Sequence, residues 1–220
     1  MSKSFFITGT GTDIGKTVFT CSLSNQLIKK GKSVNSLKPV ISGWDNSENM
    51  DTMHILHSLG LAATDDNINI ISPWRYAAPL SPDMAAAKEN REIVFDEVIE
   101  FCRKNVDKSD YNFIEGAGGA MVPLDGRHTY RDLIRELNIP VILVCGSYLG
   151  SISHTLTAIE ALRDSDIHAI VINQTQNGVD IDNVKNTLGN FTDAKIFTIP
   201  YIKCDDPWQS MPDITYMVQL

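Results

Sequence analysis

The stretch Gly9-Thr10-Gly11-Thr12-Asp13-Ile14-Gly15-Lys16-Thr17 constrains the fold more than any other part of the chain. The apolar run SFFIT (4–8) precedes it, and a segment with helical spacing (15–30) follows. A strand that empties through glycines into a helix curls the backbone so that several N–H groups face inward. The helix adds its positive N-terminal end. A turn of this kind buries little of itself and is built to hold phosphate. Lys16 supplies a point charge for β- and γ-phosphates, and the Thr17 hydroxyl suits a magnesium ion that bridges them. The spacing departs from the strict G-x-x-x-x-G-K-T pattern, because Thr10 stands where the first glycine belongs and Gly9 lies one place earlier. The motif says nucleotide and leaves the substrate open.

Further along, SFFIT is joined by VNSLK (34–38), YNFIE (111–115), VILVC (141–145), AIVIN (169–173) and KIFTI (195–199), all short apolar runs rich in β-branched and aromatic residues. Their closely spaced apolar residues suit a sheet covered on both faces. Helical patterns at 15–30, 131–137, 151–163 and 183–188 lie between several of them. The alternation predicts an α/β fold with a doubly wound, mostly parallel sheet flanked by helices. Ligands of such sheets bind beyond the carboxyl ends of the strands, so the residue after each strand is the place to search. The segment 42–87 is polar and then rich in proline (Pro73, Pro79, Pro82), with one short helical pattern at 53–59. It reads as an excursion over one end of the sheet. No repeat or linker divides the 220 residues, so a single nucleotide-binding domain over 1–220 is expected.

Net charge is −8 with no block of like charges, which argues against a nucleic-acid footprint. Phosphate must therefore be met by a local positive site. Cys21, Cys102, Cys145 and Cys204 form no C-x-x-C pair, and free thiols fit a reducing cytosol. The first apolar run is too short for a signal-peptide core or a membrane span. The expectation is a cytoplasmic protein without a membrane partner.

Two more strand ends carry chemistry. The third candidate closes on Glu115-Gly116-Ala117-Gly118-Gly119. A carboxylate there suits a magnesium ligand, and the glycines admit a close-lying ligand; the alternative is a turn with a solvated glutamate. The second candidate ends in Lys38-Pro39-Val40-Ile41-Ser42-Gly43. Lys38 is either a snorkelling surface residue or, because its strand is expected to neighbour the first, a second ammonium within reach of the γ-phosphate. The five histidines are scattered and read as structural or solvated. Trp44, Trp74 and Trp208 read as packing residues in loops.

Taken in order, GTGTDIGKT, KPVISG and EGAGG resemble the dethiobiotin synthetase family, of P-loop NTPase fold. The resemblance extends into APLSP (78–82), PVILVCGSYLGSISH (140–154) and Ile199-Pro200. It implies an ATP- and Mg2+-dependent ligase that joins CO2 to 7,8-diaminopelargonate and closes a cyclic urea. The route would run through a carbamate and a carbamic–phosphoric anhydride. By resemblance, Lys16 and Lys38 are catalytic. Asp13, Ile14, Gly15, Lys16, Thr17 and Val18 bind ATP, with Gly116, Ala117 and Gly118. Thr17, Asp51 and Glu115 hold the metal, although Asp51 reads equally well as a helix N-cap. Ser42, Pro79 and Ser81 meet the substrate, and free N–H groups around Gly150, Ser151 and Ser153 meet its distal carboxylate from the other subunit of a homodimer. Asn173 and Pro200, Tyr201 and Ile202 meet the adenine; the Asn173-Gln174 pair departs from the family's usual Asn-Asp.

Two other readings share the deviant loop. An amide-forming ligase of cobalamin synthesis usually adds a glutamine-hydrolysing domain, and no cysteine here sits on a strand-to-helix elbow. A partner-regulated ATPase switch often carries a second lysine at the start of the loop and a basic amphipathic tail. Here the loop starts Gly9-Thr10 and the tail 214–220 has no basic residue.

Overall fold

A computed structural model describes residues 2–204 and 206–219. The chain runs β1 (Lys3–Gly9), α1 (Lys16–Lys29), β2 (Val34–Leu37), β3 (Val40–Ser42), α2 (Asp51–Ser58), α3 (Asp65–Ile71), β4 (Trp74–Tyr76) and α4 (Pro82–Lys88). It continues α5 (Phe95–Asn105), β5 (Tyr111–Glu115), α6 (Tyr130–Leu137), β6 (Val141–Gly146), α7 (Ser151–Ala161), β7 (Ile167–Asn173), α8 (Ile181–Gly189) and β8 (Lys195–Ile199). Short 3-10 turns at Pro207–Gln209 and Thr215–Val218 end it.

All six strands read from the sequence are present and form one sheet in the order β2-β5-β1-β6-β7-β8. Every pairing in it is parallel. Successive side chains of a strand face opposite sides, and the burial follows. Phe5 and Ile7 of β1 pack with Phe19, Leu23 and Leu27 of α1 and with the C-terminal Met217 and Val218. Phe6 points the other way, into a core built from α5 to α8. Both faces are covered, which is why the central strands are apolar throughout instead of alternating.

The expected adjacency of the first two strands is corrected. β5 lies between β1 and β2. The chain leaves the sheet after β2 and returns at residue 111, so the slot beside β1 goes to the later strand. Leu37 is level with Ile114, and Ile7 with Glu115, so Lys38, Glu115 and the end of β1 share one rim.

The 42–87 excursion is more ordered than its composition suggests. β3 and β4 pair in parallel as a small second sheet, Ser42 level with Tyr76. Thr64 caps α3 by accepting from the Asn67 N–H, and Pro82 opens α4, a position where its missing N–H costs nothing. Trp74 belongs to β4 and Trp208 to a buried 3-10 turn, so two of the three tryptophans are not in loops.

Candidate active site

The glycine placement follows from packing beneath the loop. A Cβ on Gly9 would come within 2.3 Å of Ile14 Cδ1 and 2.9 Å of the Val144 carbonyl. Ile14 folds back under the loop into the core, and only a glycine at the end of β1 leaves room for it. That accounts for the glycine one place earlier than the strict pattern. Gly15 caps α1 at φ 94°, in the left-handed region, and a Cβ there would lie 2.2 Å from Asn173 Nδ2. The same Asn173 amide donates to the Ile14 carbonyl at 3.0 Å and ties the loop to the end of β7.

Six side chains meet at the rim: Lys16, Thr17, Thr20, Lys38, Asp51 and Glu115. Glu115 is wholly buried, and both its oxygens are engaged. Oε1 accepts from Thr17 Oγ1 at 2.6 Å and Lys38 Nζ at 2.9 Å; Oε2 accepts from Thr20 Oγ1 at 2.6 Å. Lys38 also donates to Asp51 and so bridges the two carboxylates. It is 4% exposed, which excludes the snorkelling alternative, and burial of Glu115 excludes the solvated-turn alternative. Burial alone would depress the Lys38 ammonium, but Glu115 and Asp51 outweigh it and hold the group charged, well above the ordinary lysine range. Burial would raise Asp51; the charge and hydrogen bond of Lys38, with Thr17 and Lys16, hold it below the usual carboxylate value. The cap of α2 is Met50, so Asp51 is free to turn its carboxylate to Lys38 and is not the N-cap. Lys16 donates to the Gly11 carbonyl at 2.7 Å. Burial, followed by repulsion from Lys38, pushes its ammonium down from 10.5 to about 8.

A cleft of about 640 Å³ opens over this cluster. Asp13, Gly15, Lys16, Thr17, Val18, Lys38 and Asp51 line it, with Ala117 and Gly118 from the turn after β5. Ser42, Pro79 and Ser81 line it as well. The β3–β4 pairing joins KPVISG to APLSP, and Gly43 donates its N–H to the Ala78 carbonyl at 3.0 Å. Gly116 packs against the Tyr130 ring beneath the surface. Asn173 underpins the loop, and Tyr201 donates its hydroxyl to Gln176 at 3.0 Å, away from the cleft lining that Pro200 and Ile202 also do not join. Gly150, Ser151 and Ser153 stand at the start of α7, outside the cleft of their own chain. The Ser151 N–H donates to the Tyr148 carbonyl at 3.0 Å, so it is not one of the free amides expected there. The sequence reading missed Thr20 and the apolar lining Ile41, Leu80 and Val122. Thr20 was findable: it sits one turn beyond Thr17 on the same helix face.

Comparison with known proteins adds to this geometry. A family model described as an AAA domain matches residues 3–203. A relative from Acidiphilium cryptum, named ATP-dependent dethiobiotin synthetase, is 45% identical over 175 residues, covering 77% of this chain and 78% of its own. A relative of the same name from Caulobacter sp. (strain K31) is 41% identical over 204 residues, covering 90% and 87%. The chain belongs to the dethiobiotin synthetase family. Membership makes it an ATP-dependent ligase on a P-loop NTPase fold. The fold is shared with distant solved structures. The MinC:MinD cell division complex of Aquifex aeolicus gives a TM-score of 0.59 at 17% identity, covering 95% of this chain and 86% of that one. The septum site-determining protein MinD of Pyrococcus horikoshii OT3, complexed with Mg-ADP, gives 0.58 at 15%, covering 96% and 87%. At such identities the likeness is one of fold. In this member of the family the Gly9–Thr17 loop, Lys38 and Glu115 belong to one rim of one sheet. Among the described residues no helix is long and apolar enough to cross a membrane.

Proposed function

We propose that this chain, working as one nucleotide-binding domain over 1–220, is a dethiobiotin synthetase of the cytoplasm. It would join CO2 to 7,8-diaminopelargonate at the expense of ATP. The observation that carries the reading is the pair of buried ammoniums, Lys16 and Lys38, lining one cleft with Thr17 and Asp51, above the buried Glu115 that bonds Thr17 and Lys38. Little covalent chemistry is asked of such a site; it must position reactants and offset charge.

One amine of the substrate attacks the carbon of CO2 and loses a proton, giving a carbamate. A carbamate oxygen attacks the γ-phosphorus as the bond from phosphorus to the ADP oxygen breaks. The second amine attacks the carbamoyl carbon, loses a proton and expels phosphate, which closes the ring. Through these steps charge stays on the phosphoryl and carbamate oxygens, where Lys16 and Lys38 offset it. The loop N–H groups of Asp13, Ile14 and Gly15 and the turn at Gly116, Ala117 and Gly118 hold the phosphates. Val18 walls the nucleotide side. Ser42, Pro79 and Ser81 orient the diamine against the apolar surface of Ile41, Leu80 and Val122. Asn173 and the backbone of Pro200, Tyr201 and Ile202 receive the adenine.

Magnesium fits the donor set: a hydroxyl and two carboxylates, all hard oxygens, are tied together through Lys38 and Glu115 at the base of the cleft. Thr17, Asp51 and Glu115 would hold it, and when bound it would neutralise charge on the β- and γ-phosphates. Gly150 and Ser153 serve the partner's site in a homodimer, with Leu149, at 92% the most exposed large apolar side chain among the described residues, at the contact.

The test is phosphate release. It should require ATP, magnesium, 7,8-diaminopelargonate and bicarbonate together, and a urea-ring product should form in equal amount. Lys16→Ala should lose about 3 kcal/mol or more of transition-state stabilisation, over a hundredfold in turnover. Release that ignores the diamine would refute the reading.

A further inference from the structure

Thr20 lies in no phosphate-binding motif and does not line the cleft. It is wholly buried, three residues past Thr17 on α1, and its hydroxyl faces the far oxygen of Glu115. That hydroxyl has one proton and two acceptors in reach, the Lys16 carbonyl at 3.0 Å and Glu115 Oε2 at 2.6 Å. The shorter bond is charge-assisted, so the carboxylate receives the proton. The two oxygens of Glu115 then have distinct partners. Oε1 meets Thr17 and Lys38, which line the cleft, whereas Oε2 meets Thr20 alone among the described residues. Neither residue has any exposed surface, so bulk water does not substitute for the bond.

We propose that Thr20 is a positioning residue for the metal-binding carboxylate. It anchors Oε2 to α1, so that Oε1 is the oxygen presented to Thr17 and to a divalent ion. This rests on the reading of Glu115 as a ligand, and on no other part of the proposed chemistry.

The test counts Mn2+ bound in the presence of ADP, from loss of the free-ion electron paramagnetic resonance signal, with thermal unfolding measured on the same samples. Thr20→Val keeps the shape and removes the donor. Its Mn2+ affinity should fall about tenfold to a hundredfold, the usual consequence of removing a partner behind a ligand. Thr20→Ser should restore binding to near the parent. In turnover, T20V should raise the magnesium concentration needed for half-maximal rate while the rate at saturating magnesium changes little. In a Glu115→Gln background, T20V should add no further loss. Should T20V fail to fold, Thr20→Ala, which removes the donor without putting a methyl against the carboxylate, is read by the same criteria. Unchanged Mn2+ affinity in the folded valine or alanine variant overturns the proposal, as does an equal loss in the E115Q background. If E115Q alone leaves Mn2+ binding intact, the ligand reading of Glu115 fails and takes this proposal with it. A loss in E115Q without one in T20V sinks the Thr20 role alone.

Discussion

Lys38→Met separates what the buried ion pair does for stability from what it does for catalysis. Methionine keeps the length of the stem, so little cavity forms, but the one cation bonded to Glu115 among the described residues is gone. Glu115 has no exposed surface and would keep two hydroxyl donors, Thr17 and Thr20, with no bonded counter-charge. Removing one partner of a buried pair costs about 3–5 kcal/mol. The surviving donors and nearby Lys16 put this case at the lower end, about 3 kcal/mol. Asp51 adds little, because its side chain is 41% exposed and water replaces the lost contact. For a chain of this size each kcal/mol moves the unfolding midpoint by about 2–4 °C, so the midpoint should drop by about 6–12 °C. Glu115→Gln added to Lys38→Met removes the stranded charge and should recover most of that loss. Turnover should not recover, and both variants should stay at least about a hundredfold below the parent. Calorimetry and phosphate release on one preparation decide the matter. A single variant within 1 °C or so of the parent, or a double variant no more stable than the single, would refute the claim that Glu115 depends on Lys38 for its burial.

Two further outcomes follow from the loop. With its ammonium pushed down to about 8, Lys16 loses its proton as pH rises through 8 in the nucleotide-free protein; phosphate restores it. ADP affinity should therefore fall above pH 8 with proton uptake on binding, read by calorimetry in buffers of different ionisation enthalpy, and Lys16→Ala should abolish both effects. Stability should move oppositely: the folded value lies below the unfolded 10.5, the unfolded chain binds more protons between them, and the contribution of Lys16 rises from pH 8 to 10.5. Gly15→Ala forces a left-handed residue to carry a side chain, about 1–2 kcal/mol, and drives a methyl into the Asn173 amide. It should lower the unfolding midpoint and weaken ADP binding, and Asn173→Ala should relieve only the steric share; a G15A protein with parental midpoint and affinity would contradict the loop geometry.

Most of the fold was legible because its signals are contiguous. A buried strand is a short apolar run and a phosphate loop is a string of neighbours, so β1, α1 and the strand ends could be read residue by residue. Sheet order was not legible in this way. Nothing in VNSLK says that a strand some 70 residues later will come between it and β1, because that choice is made by crossover packing and not by local propensity. The helix α5 is not among the sequence expectations, although FDEVIEFCRKN has helical spacing.

The site divides along the same line. Lys16 and Thr17 were named from a motif, whereas Lys38, Glu115 and Asp51 each had a bland alternative that only tertiary contact removes. Asp51 is the sharpest case. From the sequence, an aspartate before TMHIL caps a helix as well as it binds a metal. The structure gives the cap to Met50, and the freed carboxylate reaches Lys38. That contact exists because the 42–87 excursion folds back over the rim. The same fold brings Ser42, Pro79 and Ser81 to the mouth of the cleft. The phosphate end of the site is thus specified by local sequence, and the end that would select a substrate is specified by packing of the least regular segment. A change of substrate among relatives with the same loop should accordingly be sought in that segment before the glycines.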